Sequence, residues 1–308
     1  MVFILTHHWG YIGAITSAVL FGISSTLNKL ALENVNPLVV AGMIYFVGGV
    51  LLFGIHLSPL HKKLLALFET STETETKISK KDYRTLALVI LCGSIIAPFM
   101  LLYGLNETTA INTSLLLNTE CLFTVLIAFA FLRERGATKD YLGILLLFIG
   151  VVFLTTNGEF QMFTLTTKIM GNLLIVGACL FWGIDNNLSK FLSKKRDIVM
   201  ITGLKCFIGG AVLLSMSIIL GIDFNVTLAS IPFILSAGAF SIAFSILLFL
   251  FALREIGAMQ TGVMFSLSSL FGAVFAFLIL REAFSITQFF AGVVMIIGVY
   301  LLYRKSSV

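Results

Sequence analysis

The chain has 308 residues, of which 58% are hydrophobic and 11% charged, with a formal net charge of +5 and a mean hydropathy of +1.05. So little polar surface cannot cover a soluble globule, and the composition defines an integral membrane protein. The positive balance is no argument for a nucleic-acid partner, because the basic residues sit in loops beside apolar runs, where membrane topology accounts for them.

A bilayer-spanning helix needs about 20 largely apolar residues, and ten such runs follow one another. They lie near 11–31, 37–57, 85–105, 110–132, 140–156, 169–191, 198–220, 230–252, 257–280 and 285–303. No basic region or small-residue cleavage site precedes the first run, so it is read as a retained span, with His7 and His8 on a solvated tail. The first span carries FGISSTLNKLAL from Phe21, and the sixth carries WGIDNNLSKFLS from Trp182, about 161 positions on. At the same offset the FVGG of the second span, from Phe46, returns as FIGG in the seventh, from Phe207. Adjacent glycines allow membrane helices to approach closely.

The segment from His61 to Arg84 is polar and Thr-rich and is predicted to be a mobile cytoplasmic loop. Pro98 removes a hydrogen bond from the third span and predicts a kink, which shapes either a cavity wall or a lipid-facing bend. From Leu101 to Glu134 the chain is repeated about 148 positions later, from Phe249 to Glu282. Glu107 returns as Glu255, Thr113 as Thr261, and the Arg133–Glu134 pair as Arg281–Glu282. Glu120 returns as Ser268, so this acid has no acidic twin. The fall in offset places about 13 extra residues in the first half, within the polar loop. All four cysteines, Cys92, Cys121, Cys179 and Cys206, lie in predicted spans and read as free thiols.

Two repeats follow, residues 1–157 with a cytoplasmic insert at 58–84, and residues 158–308. Each has five spans, an odd number, so the second inserts upside down relative to the first. The expected fold is therefore an all-α membrane protein of ten transmembrane helices in two inverted-topology repeats. Lys and Arg accumulate in alternate loops, and this bias puts both termini in the cytoplasm.

The ten spans, the WG and FG pairs each followed by six residues and a Lys, and the helix-ending Arg-Glu pairs followed by GVVFL or GVYLL resemble the EamA-type carriers of the drug/metabolite transporter superfamily. The likeness covers nearly the whole chain. It implies a central cavity lined by the first, third, fourth, sixth, eighth and ninth spans, and a substrate among amino acids, nucleotide sugars, drugs or other metabolites. The chain departs from the family pattern at Ile44, where a basic residue is often found while the equivalent seventh-span position is Lys205, and at Cys121, where a Pro is often found.

An ionisable group at bilayer depth costs several kcal/mol unless it is paired or faces water, which makes Glu120 a candidate for solute or proton binding. Thr113 and Thr124 share its helical face, and Thr261 and Ser268 are the matching neutral positions in the ninth span. The competing reading is a buried carboxyl that only fixes packing. In the sixth span Trp182, Asp185 and Ser189 share a face, matched in the first span at Ser24 and Asn28. Asp185 is the second candidate proton or amine site, against which stands a solvated helix end; Trp182 is either a stacking platform or an interfacial anchor. Lys205 either snorkels to the cytoplasmic interface or meets a substrate or an acid. Lys29 with Glu282 on the outer side, and Lys190 with Glu134 on the inner side, form candidate gate pairs, or else are loop charges at helix ends.

There is no phosphate-cradling Gly-Lys-Ser loop, no Ser-His-Asp set and no histidine pair at metal-ligand spacing among His7, His8, His56 and His61. No metal and no cofactor are expected. Inverted halves without charged rings argue against a channel. The reading is a secondary carrier for small polar or zwitterionic metabolites, an amino-acid-like exporter at the plasma membrane, with the lipid bilayer and a small-molecule solute as its partners. A carrier of nucleotide sugars or cationic drugs comes next, and an intramembrane enzyme acting on lipid-linked substrates after it.

Overall fold

In lipid a backbone N–H or C=O finds no water, and only a helix satisfies both within one segment. The computed structural model describes residues 2–61, 82–131, 138–156, 167–193 and 197–303, and no strand occurs among the described residues. Seven helices are long and apolar enough to cross a membrane: Trp9–Ala31, Pro37–Leu57, Asp82–Glu107, Ala110–Ile127, Thr167–Ser189, Ile198–Ile219 and Ile231–Ala252. Three shorter apolar helices, Tyr141–Thr156, Met264–Leu280 and Ile286–Leu302, occupy the places of the fifth, ninth and tenth spans. The protein is thus an all-α, multi-pass membrane protein. The loop residues 62–81 lie outside the described residues, as does Glu134.

Local chemistry sets the helix starts. Asn36 caps the second span by accepting from Leu38 N at 2.9 Å, and Pro37 follows in the first turn, where a missing N–H costs nothing. Asp197 and Thr109 cap the seventh and fourth spans in the same way.

Four spans are interrupted where the apolar pattern predicts continuous helices. The first divides at Ile23 into Val2–Gly22 and Ser24–Ala31, and the fourth into Ala110–Leu116 and Thr119–Phe131. At the second break Thr119 Oγ1 donates to Leu116 O at 2.7 Å, and Asn118 Nδ2 turns away to Ser269 Oγ in the ninth span at 2.8 Å. Polar side chains thus compete with the helical ladder, and the break forms without a proline. The third and eighth spans carry π-helical segments at Leu91–Ile96 and Ala237–Phe244, about 148 positions apart like the rest of the repeat. Pro98 lies in the first turn after the former, where the ladder is already disturbed, and it is buried within the protein rather than facing lipid.

The second span packs along the seventh, and the fifth along the tenth. The first packs on the eighth and ninth, while the sixth packs on the third and fourth. Gly49 sits where an added Cβ would meet the Phe207 backbone, and Gly210 where one would meet that of Phe46, with the Phe46 and Phe207 rings 5.1 Å apart. The two close approaches are the FVGG and FIGG motifs meeting. A Gly49→Leu chain should therefore lose its folded yield, read as a collapsed monodisperse peak in size-exclusion chromatography, whereas Gly54→Leu, where nothing lies within 4 Å, should not. Exposed apolar residues such as Ile219, Phe289 and Phe290 form the surface offered to lipid.

Candidate functional site

The third span widens into a π-helical segment at Leu91–Ile96, a feature often found at functional sites. Gly93 O, within that turn, accepts from Trp182 Nε1 at 3.0 Å and lies 3.4 Å from Tyr45 Oη. A Cβ at position 93 would overlap the Asp185 carboxylate, so only glycine lets the third and sixth spans come this close. Trp182 is buried and donates inward, which sets aside the interfacial-anchor reading.

Asp185 is 5% exposed, so it is no solvated helix end. Its Oδ1 accepts from Ser189 Oγ at 2.7 Å and its Oδ2 from Lys205 Nζ at 2.5 Å. Of the two readings of Lys205, the contact is with an acid, Asp185. Lys205 turns inward to reach it instead of snorkelling, because two desolvated charges are held far more cheaply together than apart. Glu120 Oε1 accepts from Asn186 Nδ2 at 2.6 Å, a neutral donor, while Thr124 Oγ1 closes back on Glu120 O at 2.8 Å.

These groups line a cavity of about 120 Å³. Its polar lining includes Glu120, Asp185, Asn186, Ser189 and Lys205. Its apolar side is an aromatic set from the first, eighth and ninth spans, with Phe265 centred 5.1 Å from Phe21 and 4.8 Å from Phe249. Trp182 and Tyr45 close it between the two.

Of the residues the sequence points to, Glu120, Trp182, Asp185 and Ser189 come together at the cavity. The others lie elsewhere. Ser24, Asn28, Thr113, Thr261 and Ser268 are buried between helices, Thr113 Oγ1 donating to Thr109 O at 2.9 Å. Thr124 stands behind Glu120, holding Asn186 and the helix. Ser268 does not line the cavity, and its carbonyl lies 2.7 Å from where a Cβ on Gly22 would sit. Asn186 and Tyr45 are additions, and Lys205 joins the cavity through its contact with Asp185. Asn186 is one helical turn beyond Trp182 and could have been found by that spacing.

Lys29 and Glu282 do not bond each other but grip one turn from two sides. Lys29 Nζ donates to Leu105 O and Thr108 O, both at 2.7 Å, while Glu282 accepts from Ala110 N and Ile111 N, both at 2.9 Å. A cation thus caps the C-terminus of the third span and an anion the N-terminus of the fourth, each matched to the local helix dipole. Arg281, in the left-handed region at φ 54°, turns the chain so that Glu282 can reach. Replacing Glu282 by Ala should destabilise this end by about 1–2 kcal/mol, measurable as faster amide exchange at residues 110–113. On the other side, Glu134 and the Lys190 side chain lie outside the described residues.

An all-helical membrane fold that encloses a small charged and aromatic cavity fits the class of membrane transporters. The chain belongs to the EamA-like transporter family, whose model matches residues 8–156 and 169–304. It is 45% identical to an uncharacterized transporter of Methanothermobacter thermautotrophicus over 97% of this chain and 87% of that protein. It is 22% identical to the uncharacterized transporter YetK of Bacillus subtilis, over 96% of this chain and 87% of that protein. A solved crystal structure at 14% identity covers 95% of this chain and 96% of its own, with a TM-score of 0.66, a likeness of fold.

Proposed function

We propose that the protein is a secondary carrier for a compact zwitterionic solute, an amino-acid-like metabolite, exported across the plasma membrane by alternating access. The observation that carries this reading is the pairing of charges in the cavity. Asp185 and Lys205 neutralise each other, and Glu120 is left with only a neutral donor. An ammonium group suits Glu120, a carboxylate can compete with Asp185 for Lys205, and an aliphatic chain suits the Phe21, Phe249 and Phe265 side. Glu120 without solute is the place for a coupled proton.

Size separates the alternatives. At about 120 Å³ the cavity is well below the ~300–1,000 Å³ of sites for drug-sized ligands, which favours a small solute over a nucleotide sugar or a bulky cationic drug. Catalysis is disfavoured too, since Asp185 and Lys205 spend their charges on each other and leave Glu120 as the one carboxylate of the cavity without a cationic partner.

The two halves, 1–157 and 158–308, rock about the cavity in this account. With both termini in the cytoplasm, the turn gripped by Lys29 and Glu282 lies on the outer side and is the closed gate of this state. Asn28 Oδ1, Ser114 Oγ and Thr261 Oγ1, buried without a hydrogen-bond partner, suit a path that opens to water in the opposite state. To test the reading, purified protein is screened for thermal stabilisation by amino acids, amines, carboxylates, sugars and nucleotide sugars, and hits are followed by uptake into liposomes. Small zwitterions should raise the melting temperature and be transported; stabilisation and uptake restricted to nucleotide sugars would reject the assignment.

A further inference from the structure

The helix of the second span ends at Leu57, and the turn that follows folds the chain back on itself. Ser58 Oγ donates to Ile55 O at 2.8 Å and accepts from Leu60 N at 3.2 Å, while His61 N donates to Ser58 O at 3.1 Å. This brings the His61 ring to 4.3 Å from that of His56. Asp197, the cap of the seventh span, arrives from the other half of the chain. Its Oδ1 accepts from Val199 N at 2.9 Å and Met200 N at 3.2 Å, which fixes the carboxylate and aims Oδ2 at both histidines.

Helix capping needs only Oδ1. It leaves unexplained why two imidazoles converge on Oδ2. We infer that His56 Nδ1, His61 Nε2 and Asp197 Oδ2 form a binding site for a divalent transition ion of the Zn²⁺ type, tying the second span to the seventh. The three atoms lie within 4.8 Å of one another. A tetrahedral zinc site with bonds of about 2.0–2.1 Å has ligand atoms about 3.3 Å apart. The His56–His61 separation is 3.2 Å and the His56–Asp197 separation 3.4 Å, so two of the three edges already fit. The third, His61 to Asp197, is 2.6 Å and must open by about 0.7 Å when an ion replaces the proton between them.

Two imidazoles and a carboxylate suit Zn²⁺ and its borderline neighbours, whereas Mg²⁺ and Ca²⁺ take oxygen donors. The two amide bonds to Oδ1 hold the carboxylate ligand in place. His56 is 27% exposed, which leaves an entry for the ion from solvent and a fourth position for water. His56 and His61 do stand at a spacing that metal-ligating histidines use, contrary to the expectation from the sequence, but the third ligand lies 136 residues beyond His61 and only the fold brings it in. Because the second and seventh spans come from different halves, the ion would act as a clamp across the interface that the proposed rocking must move.

The test uses the full chain, tag removed, with His7→Ala and His8→Ala throughout so that only these histidines remain. Zn²⁺ titrated against a chromophoric chelator should show one bound ion per chain and a raised melting temperature, with no shift from Mg²⁺ or Ca²⁺. His56→Gln and His61→Gln should each weaken binding by at least about tenfold, and so should Asp197→Asn, which keeps an oxygen for the cap. Co²⁺ should give the visible absorption of a tetrahedral site. Absence of stoichiometric Zn²⁺ binding, or binding unchanged in the folded double variant His56→Gln/His61→Gln, overturns the assignment. Neither result depends on whether the protein transports a zwitterion.

Discussion

Replacing Asp185 by Ala is expected to abolish transport and to destabilise the fold by about 3–5 kcal/mol, because Lys205 is left as an uncompensated buried charge. The side chains of Asp185 and Lys205 are only 7% and 12% exposed, and neither has an alternative ionic partner among the described residues. The companion variant separates stability from function. An Asp185→Leu/Lys205→Met chain removes both charges and fills the space, so its stability should return to within about 1–2 kcal/mol of the parent. Transport should stay absent, since the carboxylate-binding lysine has gone. Thermal unfolding in one detergent, with uptake into liposomes, checks both halves. A singly substituted chain that melts with the parent would mean that the pair is not buried as described.

The second large effect belongs to Glu120. Glu120→Gln keeps an oxygen able to accept from Asn186 at the 2.6 Å position, so folding and cavity shape should be preserved. What disappears is the charge. A hydrogen bond to a charged group is worth about 1.5–3 kcal/mol, so the affinity for an ammonium-bearing solute should fall about 10- to 100-fold. Coupling to a pH gradient should vanish with it, since glutamine cannot take up or release the proton. Uptake by Glu120→Gln at parental affinity would remove the residue from the solute site.

Much of the fold is legible in the sequence because bilayer physics leaves few options. Runs of about 20 apolar residues become helices, and the repeated FVGG and FIGG motifs meet across the second and seventh spans as small residues in lipid do. The interruptions at Ile23 and at Leu117–Asn118 are not legible. Hydropathy does not register a hydroxyl that bonds backward, as Thr119 does, or an amide that leaves for another helix, as Asn118 does. The π turn around Gly93 is equally silent, yet its carbonyl is the one that accepts from Trp182.

The candidate site is partly visible for the same reason. An acid at membrane depth announces itself, so Glu120 and Asp185 are found, but their partners depend on which helix packs where. Lys205 stands between snorkelling and a contact with substrate or acid until the seventh span is set beside the sixth and the third. Asn28 and Thr261 lie on polar faces, as spacing predicts, but those faces are buried against neighbouring helices rather than turned to the cavity. Lys29 and Glu282 follow the repeat's symmetry and still do not pair, because the end groups of the third and fourth spans satisfy each charge first.

The central claim is that Glu120 joins solute binding to a proton in a cavity between two rocking halves. It is tested most directly by uptake of a labelled zwitterion, chosen by the stabilisation screen, into liposomes holding either the parent chain or Glu120→Gln under an imposed pH gradient. The account predicts accumulation above equilibrium for the parent, abolished by a protonophore, and no accumulation for Glu120→Gln. Equal accumulation by both chains, with the same response to the gradient, would contradict it.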